Sequence, residues 1–199
     1  MTATGFHCSQ RRVASGVAVL CAMWACGVPR PAHGAEVYTE DSVKAAFIFR
    51  FAGYIEWPPQ ADKTQTFKIA VLGADSIAMR LQGLIGERTV HNRPARILRI
   101  ASIRDATGVQ ILFIGAEHRG ELRNLLSAVA DRGMLVITDE EHGLDAGSTI
   151  NFLMADRRVR FEVSTDAAHR AQLNVSSELL SVAARLQGSR YKPAEAEAP

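Results

Sequence analysis

The sequence predicts an α/β fold: a single three-layer α/β/α domain with a mixed, mostly parallel sheet and a C-terminal antiparallel hairpin. Three observations carry this. Short apolar runs alternate with helical periodicities through the middle of the chain, as in Phe67–Leu72 followed by Ile77, Leu81, Leu84 and Ile85, and that alternation favours parallel strands with helices on both faces. Val109–Ile114 and Met134–Ile137 are near-continuous apolar runs, the pattern of strands covered on both sides. Thr149–Met154 and Arg158–Val163 are separated only by Ala155, Asp156 and Arg157, a spacing that joins antiparallel neighbours.

Ahead of the domain, Arg11 and Arg12 precede an apolar run from Val13 to Val28, and Ala32 and Gly34 place small side chains just before Ala35. This is the layout of a secretory signal over residues 1–34, cleaved before Ala35. The run of about 16 residues falls short of the roughly 20 of a permanent membrane helix, although an uncleaved anchor or a lipoprotein modified at Cys26 are the alternatives the segment leaves open. Loss of the segment removes Arg11, Arg12 and Arg30 and no acidic residue, so the formal charge moves from +2 to −1. A near-neutral domain has no long-range field for gathering phosphates, which argues against nucleic-acid binding. All three cysteines, Cys8, Cys21 and Cys26, lie in the leader, so thiol catalysis and cysteine-ligated zinc are excluded from residues 35–188, the expected domain.

The elements follow in order. Val43, Phe47, Arg50, Phe51 and Tyr54 step at three and four within Tyr38–Tyr54, predicting one long helix with a wide apolar surface. Trp57-Pro58-Pro59 would end it, since proline bars helical geometry from its predecessor. Phe67–Leu72 is the first strand, then a helix from about Asp75 to Gly86, strands at Arg96–Ile100 and Val109–Ile114, a helix over Glu117–Arg132, and a strand at Met134–Ile137. After the hairpin come a short helix at Thr165–Ala171 and a longer one at Ser176–Gln187, with Leu179, Val182, Ala183 and Leu186 facing the core. Residues 189–199, rich in Ala, Glu and Pro, read as a disordered tail.

No nucleophile elbow, phosphate loop, H-E-x-x-H pair or dinucleotide fingerprint occurs. Three constellations remain. Asp139-Glu140-Glu141-His142 follows an apolar strand, at the end where open α/β sheets bind ligands; Asp139, Glu141 and His142 are the candidate ligand-binding residues, against the plainer role of a capped turn released by Gly143. Arg158, Arg160 and Glu162 alternate with Val159, Phe161 and Val163, forming a charged stripe that Asn151 joins from the partner strand; it suits a partner protein or an anion, and equally the protection of a sheet edge. Phe47, Phe49, Phe51 and Tyr54 read as core, while Trp57 beside two prolines is placed to anchor a partner. Trp57, Asn151, Arg158, Arg160 and Glu162 are therefore the candidate partner-binding residues. His91, His118 and His169 are isolated, and no metal or cofactor is expected.

The segment Val43-Lys44-Ala45-Ala46-Phe47-Ile48-Phe49-Arg50-Phe51 leading to Ile55-Glu56-Trp57-Pro58 resembles the opening of YfiR-like proteins. Gly147–Phe152, Arg158–Val163, Ala167-Ala168, Arg170, Leu173 and Ser176–Leu180 resemble the end of the same family. The resemblance implies a periplasmic regulator that binds the sensor region of an inner-membrane diguanylate cyclase and holds it inactive, lowering cyclic-di-GMP and biofilm formation, without chemistry of its own. The better-known relatives carry cysteines in the mature domain; this chain has none there, so redox control of that kind lacks its thiols. Two other readings stand beside it: a periplasmic small-molecule binding protein, with a pocket near Gly73–Asp75, Gly115–Glu117 and Thr138–His142, and a metal-dependent enzyme using Asp139, Glu141 and His142. Exposed strand edges permit a homodimer.

Overall fold

The computed structural model describes residues 39–59 and 65–188. The described residues lie within one compact unit, Val37–Pro199; the expected export signal and C-terminal tail fall outside them. Among the described residues no helix is long and apolar enough to cross a membrane.

Helix α1, Glu40–Phe51, starts where the Thr39 hydroxyl accepts the Ser42 N–H. It is shorter than its periodicity suggests. The chain turns at Ala52 and Gly53, with Gly53 and Tyr54 donating back to the carbonyls of Arg50 and Phe51, before the prolines are reached. Ile55–Glu56 then forms a short strand, β1, whose partner comes from far along the chain.

Next come β2 (Phe67–Leu72), α2 (Asp75–Ile85), β3 (Thr89–Val90), β4 (Arg93–Ile100) and β5 (Ile111–Ile114). The β3–β4 hairpin was not expected. Its turn places His91 and Asn92 at φ of 49° and 60°, a geometry usually marked by glycine. The helix expected over Glu117–Arg132 divides into a 3-10 turn, Ala116–Glu121, and α3, Leu122–Val129. Strand β6 is Leu135–Thr138, α4 is Gly143–Ala146, and β7 (Ile150–Ala155) and β8 (Arg158–Ser164) form the expected hairpin. Helix α5 is Thr165–Arg170 and β9, Asn174–Val175, pairs with β1.

The end of the domain differs most. In place of one helix over Ser176–Gln187 there is α6, Ser177–Ser181, capped by Ser176, and then β10, Arg185–Gln187, parallel to β8. Val182, expected in the core, is 63% exposed. Sheet pairing captures this segment from a helix that its local periodicity alone would favour.

The eight-stranded sheet runs β10-β8-β7-β6-β5-β2-β4-β3, antiparallel at β7–β8 and β3–β4 and parallel elsewhere. Alternate residues of β2, β4, β5 and β6 feed two cores, and β7 and β8 contribute to the first. On one face Phe67, Ile69, Val71, Phe113, Ile137, Phe152 and Phe161 pack with α1, α2, α5 and α6; on the other Ala70, Leu72, Leu112, Ile114 and Val136 pack with α3. This is the three-layer α/β/α arrangement. Phe51 stacks on Phe152 with ring centroids 5.9 Å apart and meets Phe161 edge-on at 4.9 Å. Burying such a ring contributes about 1.5–3 kcal/mol, and the cluster ties α1 to the β7–β8 hairpin.

Candidate functional site

Strand pairing sets four polar residues in one row across the sheet: Thr138 opposite Asn151, Asn151 opposite Glu162, and Glu162 opposite Arg185. Each bonds to the next. The Thr138 hydroxyl donates to Asn151 Oδ1 at 2.7 Å, Asn151 Nδ2 donates to Glu162 Oε1 at 2.9 Å, and Arg185 Nε donates to Glu162 Oε2 at 2.7 Å. Arg185 Nη2 reaches the same oxygen at 2.7 Å. Asn151 Oδ1 also accepts the Glu140 backbone N–H at 3.1 Å, so the network dictates which way its amide faces.

Thr138, Asn151 and Glu162 are buried, while Arg185 ends the row at the surface, and α4 lies against the inner part. A side chain at Gly143 would bring a Cβ within 2.3 Å of Asn151 Oδ1 and 2.4 Å of Thr138 Oγ1, so only glycine lets that turn approach so closely. Gly143 therefore begins the helical turn, following His142 at φ 61°, and does not release one as the sequence suggested. Ser148 Oγ lies 3.0 Å from Thr138 Oγ1 and completes the floor.

The acidic run after β6 divides between the two faces. Asp139 turns toward α1, where Lys44 Nζ lies 3.0 Å from its Oδ2 and 2.6 Å from Glu40 Oε1. Glu140 is buried and ion-paired with Arg119, whose Nη2 donates to Oε1 at 3.2 Å and whose Nε reaches Oε2. Burial drives the Asp139 carboxyl above the usual carboxylate range, against the pull of Lys44; its Oδ1 is buried without a hydrogen bond. Burial alone would lower Lys44, but its bonds to Glu40 and Asp139 outweigh that and hold it above its ordinary value. Burial thus sets the direction at Asp139, and the two carboxylates set it at Lys44.

Glu141 and His142 project into solvent, with side chains 90% and 75% exposed. Asp139 does not join them, and among the described residues no three His, Cys, Asp or Glu side chains converge as a metal site. The pocket expected at the carboxyl ends of the strands is narrowed by its own loops. A Cβ at Gly115 would stand 2.2 Å from the Gly73 carbonyl oxygen, and one at Gly73 would stand 2.6 Å from the His118 ring. Two concave surfaces open at the other end of the sheet, one of about 400 Å³ beside Gly108, Gln110 and Gly133 and one of about 590 Å³ beside Asp131, His169 and Gln172.

The candidate partner-binding residues separate by position. Arg158 and Arg160 are exposed on β8. Glu162 shares their face, as the alternation requires, but it and Asn151 are buried in the polar row. Trp57, at 9% exposure, belongs to the core: its ring meets Phe67 edge-on at 5.2 Å and its Nε1 donates to the Gln110 carbonyl at 3.1 Å. The proline pair beside it suggested a surface position, but β1 pairing with β9 folds this segment back onto the sheet. Sequence reasoning placed Thr138 only in a ligand pocket, and it missed the pairing roles of Arg185 and Lys44 and the burial of Glu140. Asn151 between Ile150 and Phe152, and Lys44 between the apolar turns of α1, were the available signals, since a polar residue amid buried ones needs a partner.

The family model for YfiR/HmsC-like proteins, DUF4154, matches residues 41–184. No curated protein matches the chain. Among solved structures, a conserved domain protein from Vibrio cholerae O1 biovar El Tor is similar at 7% identity and a TM-score of 0.49, over 75% of this chain and 60% of that one. The ABC domain in complex with L-Trp from Streptococcus pneumonia is similar at 6% identity and a TM-score of 0.45, over 60% of this chain and 55% of that one. The chain thus spans about 60% and 55% of the lengths of these two structures, and the tryptophan belongs to the second of them. The match of the YfiR/HmsC-like family extends from α1 to the segment before β10, and the chain belongs to that family.

Proposed function

We propose that this protein is exported by a cleaved signal, binds the periplasmic sensor region of an inner-membrane diguanylate cyclase and holds the cyclase inactive, so that cyclic-di-GMP falls and biofilm formation is restrained. The observation that carries this reading is the division of charge around the hairpin. Asp139, Glu140 and Glu162 are each committed to a cation of the same fold, while Arg158 and Arg160 face solvent. Carboxylates spent on internal pairs suit a rigid binding module better than acid–base chemistry, which needs groups that can change partner. The family assignment supports the same reading.

Inhibition of this kind is a difference in affinity. The protein has to bind the inactive state of the sensor more tightly than the active one, since equal binding shifts nothing. Deletion of the gene is expected to raise cellular cyclic-di-GMP. Complementation with the natural chain restores the low level, whereas Arg160→Glu folds normally and leaves it high. Nucleotide levels that do not change on deletion would refute the inhibitory role.

A further inference from the structure

Strand β8 is paired along one side from Arg158 to Val163, against β7. Among the described residues its other side is paired only at Glu162, Val163 and Ser164, by β10. Where that cover begins, the Ala184 N–H donates to the Phe161 carbonyl at 2.8 Å, whereas the Ser164 N–H turns the other way, to the Thr149 carbonyl at 2.8 Å. Successive residues of a strand direct their peptide groups to opposite edges. Val159, two residues before Phe161, therefore aims its N–H and C=O outward, ahead of β10. Among the described residues no strand pairs with it there.

The side chains along this open edge are sorted by face. On the α1 side stand Val159, half-buried, and opposite it Met154, 51% exposed. Val182, 63% exposed, precedes by two residues the Ala184 that bonds to this edge, which holds it within about 7 Å of Ala184. On the other face Arg158 and Arg160 are both exposed.

We propose that the outer edge of β8 at Arg158–Phe161 is a strand-addition site for an extended segment of a partner protein in which acidic and apolar residues alternate. The added strand completes the hydrogen bonds of Val159, sets its acidic side chains against Arg158 and Arg160, and lays its apolar ones over Val159, Met154 and Val182. Backbone bonds supply affinity in this mode and alternate side chains supply selection. A second copy of this chain fits less well, because pairing two such edges sets arginines beside arginines. A lipid surface offers no peptide groups to Val159. The proposal rests on the regulatory reading only for the identity of the partner, since the site itself is defined by the edge.

The test uses a short blocked peptide alternating Glu and Val, and its Lys/Val counterpart, titrated calorimetrically into the purified protein. The Glu/Val peptide should bind and the Lys/Val peptide should not. Val159→Pro removes an N–H that faces away from β7, so it should leave the melting temperature nearly unchanged and weaken the peptide about tenfold, the value of one lost hydrogen bond at the upper end. Arg158→Glu with Arg160→Glu should exchange the preference for the two peptides. An N-methyl group on the central peptide residue, which requires no protein variant, should weaken binding similarly.

Unchanged affinity after both the proline and the N-methyl substitutions would overturn the proposal. So would failure to bind peptide combined with arginine-dependent sedimentation on phosphatidylglycerol vesicles, which would assign the patch to lipid. A dimer in ultracentrifugation that Val159→Pro dissolves would assign the edge to a second copy. Peptide binding of the expected kind, together with unchanged cyclic-di-GMP on gene deletion, would retire the cyclase as partner and leave the edge site standing.

Discussion

Arg160 and Glu162 stand two residues apart on the same face of β8, yet Arg160 is exposed and Glu162 is only 4% exposed. Their neighbours differ. Glu162 has Asn151 beside it on β7 and Arg185 on β10, with α4 against the inner part of the row, and a buried carboxylate that would cost several kcal/mol unpaired is supplied with three donors. Arg160 has Leu153 on one side and an open edge on the other. Alternation along a strand therefore assigns a residue to a face, and what pairs on either side of it assigns its burial. One strand serves both as framework and as contact surface.

The largest test of that contrast is Asn151→Ala. It strips the acceptor from the Glu140 N–H and the donor from Glu162, both buried, and takes one partner from Thr138. A loss of about 3 kcal/mol is expected in urea unfolding. A loss below about 1 kcal/mol would show that the row is not a stabilising unit.

The acidic run on the other face gives an intermediate effect with a definite sign. Because burial places the folded-state pKa of Asp139 above its unfolded value, its contribution to stability is fully present below the ordinary aspartate range and is lost as pH rises through the folded-state value. The stability of the natural chain relative to Asp139→Asn should accordingly fall as pH rises above the ordinary aspartate range of about 4, followed as melting temperature. A relative gain as pH rises would mean that Lys44 overcomes desolvation at this site.

The smallest effect belongs to the exposed end. Arg158→Ala and Arg160→Ala should each change stability by no more than about 0.5 kcal/mol. A loss above about 1 kcal/mol for either would make it part of the framework and remove it from the contact surface.

Much of the fold was legible because it depended on local periodicity. The apolar runs of β2, β5 and β6, the α2 helix ended by Gly86, and the β7–β8 hairpin stand close to where the residues predict them. The hairpin turn is made by Asp156 and Arg157 at φ of 51° and 58°, a two-residue connection of the kind such twisted strands prefer. The errors share one cause. Ser176–Gln187 has helical spacing, but Ala184, Arg185 and the residues after it find hydrogen bonds and a carboxylate on β8. The segment Ile55–Trp57 reads as a helix end beside prolines, but β9 arrives from more than a hundred residues away to pair with it. No window of sequence contains either partner.

The polar site follows the same division. The residues alone placed Asn151 and Glu162 on one face, recognised Asp139–His142 at a strand end, and identified the family through its opening and closing motifs. Tertiary structure decided that Glu140 and Glu162 are buried and paired with surface arginines, that Asp139 faces Lys44, that Trp57 is core, and that Arg158 and Arg160 border an open edge. The physical reason is reach. Periodicity is written within a few consecutive residues, whereas burial, ion pairing and edge exposure depend on which distant strand comes to lie alongside.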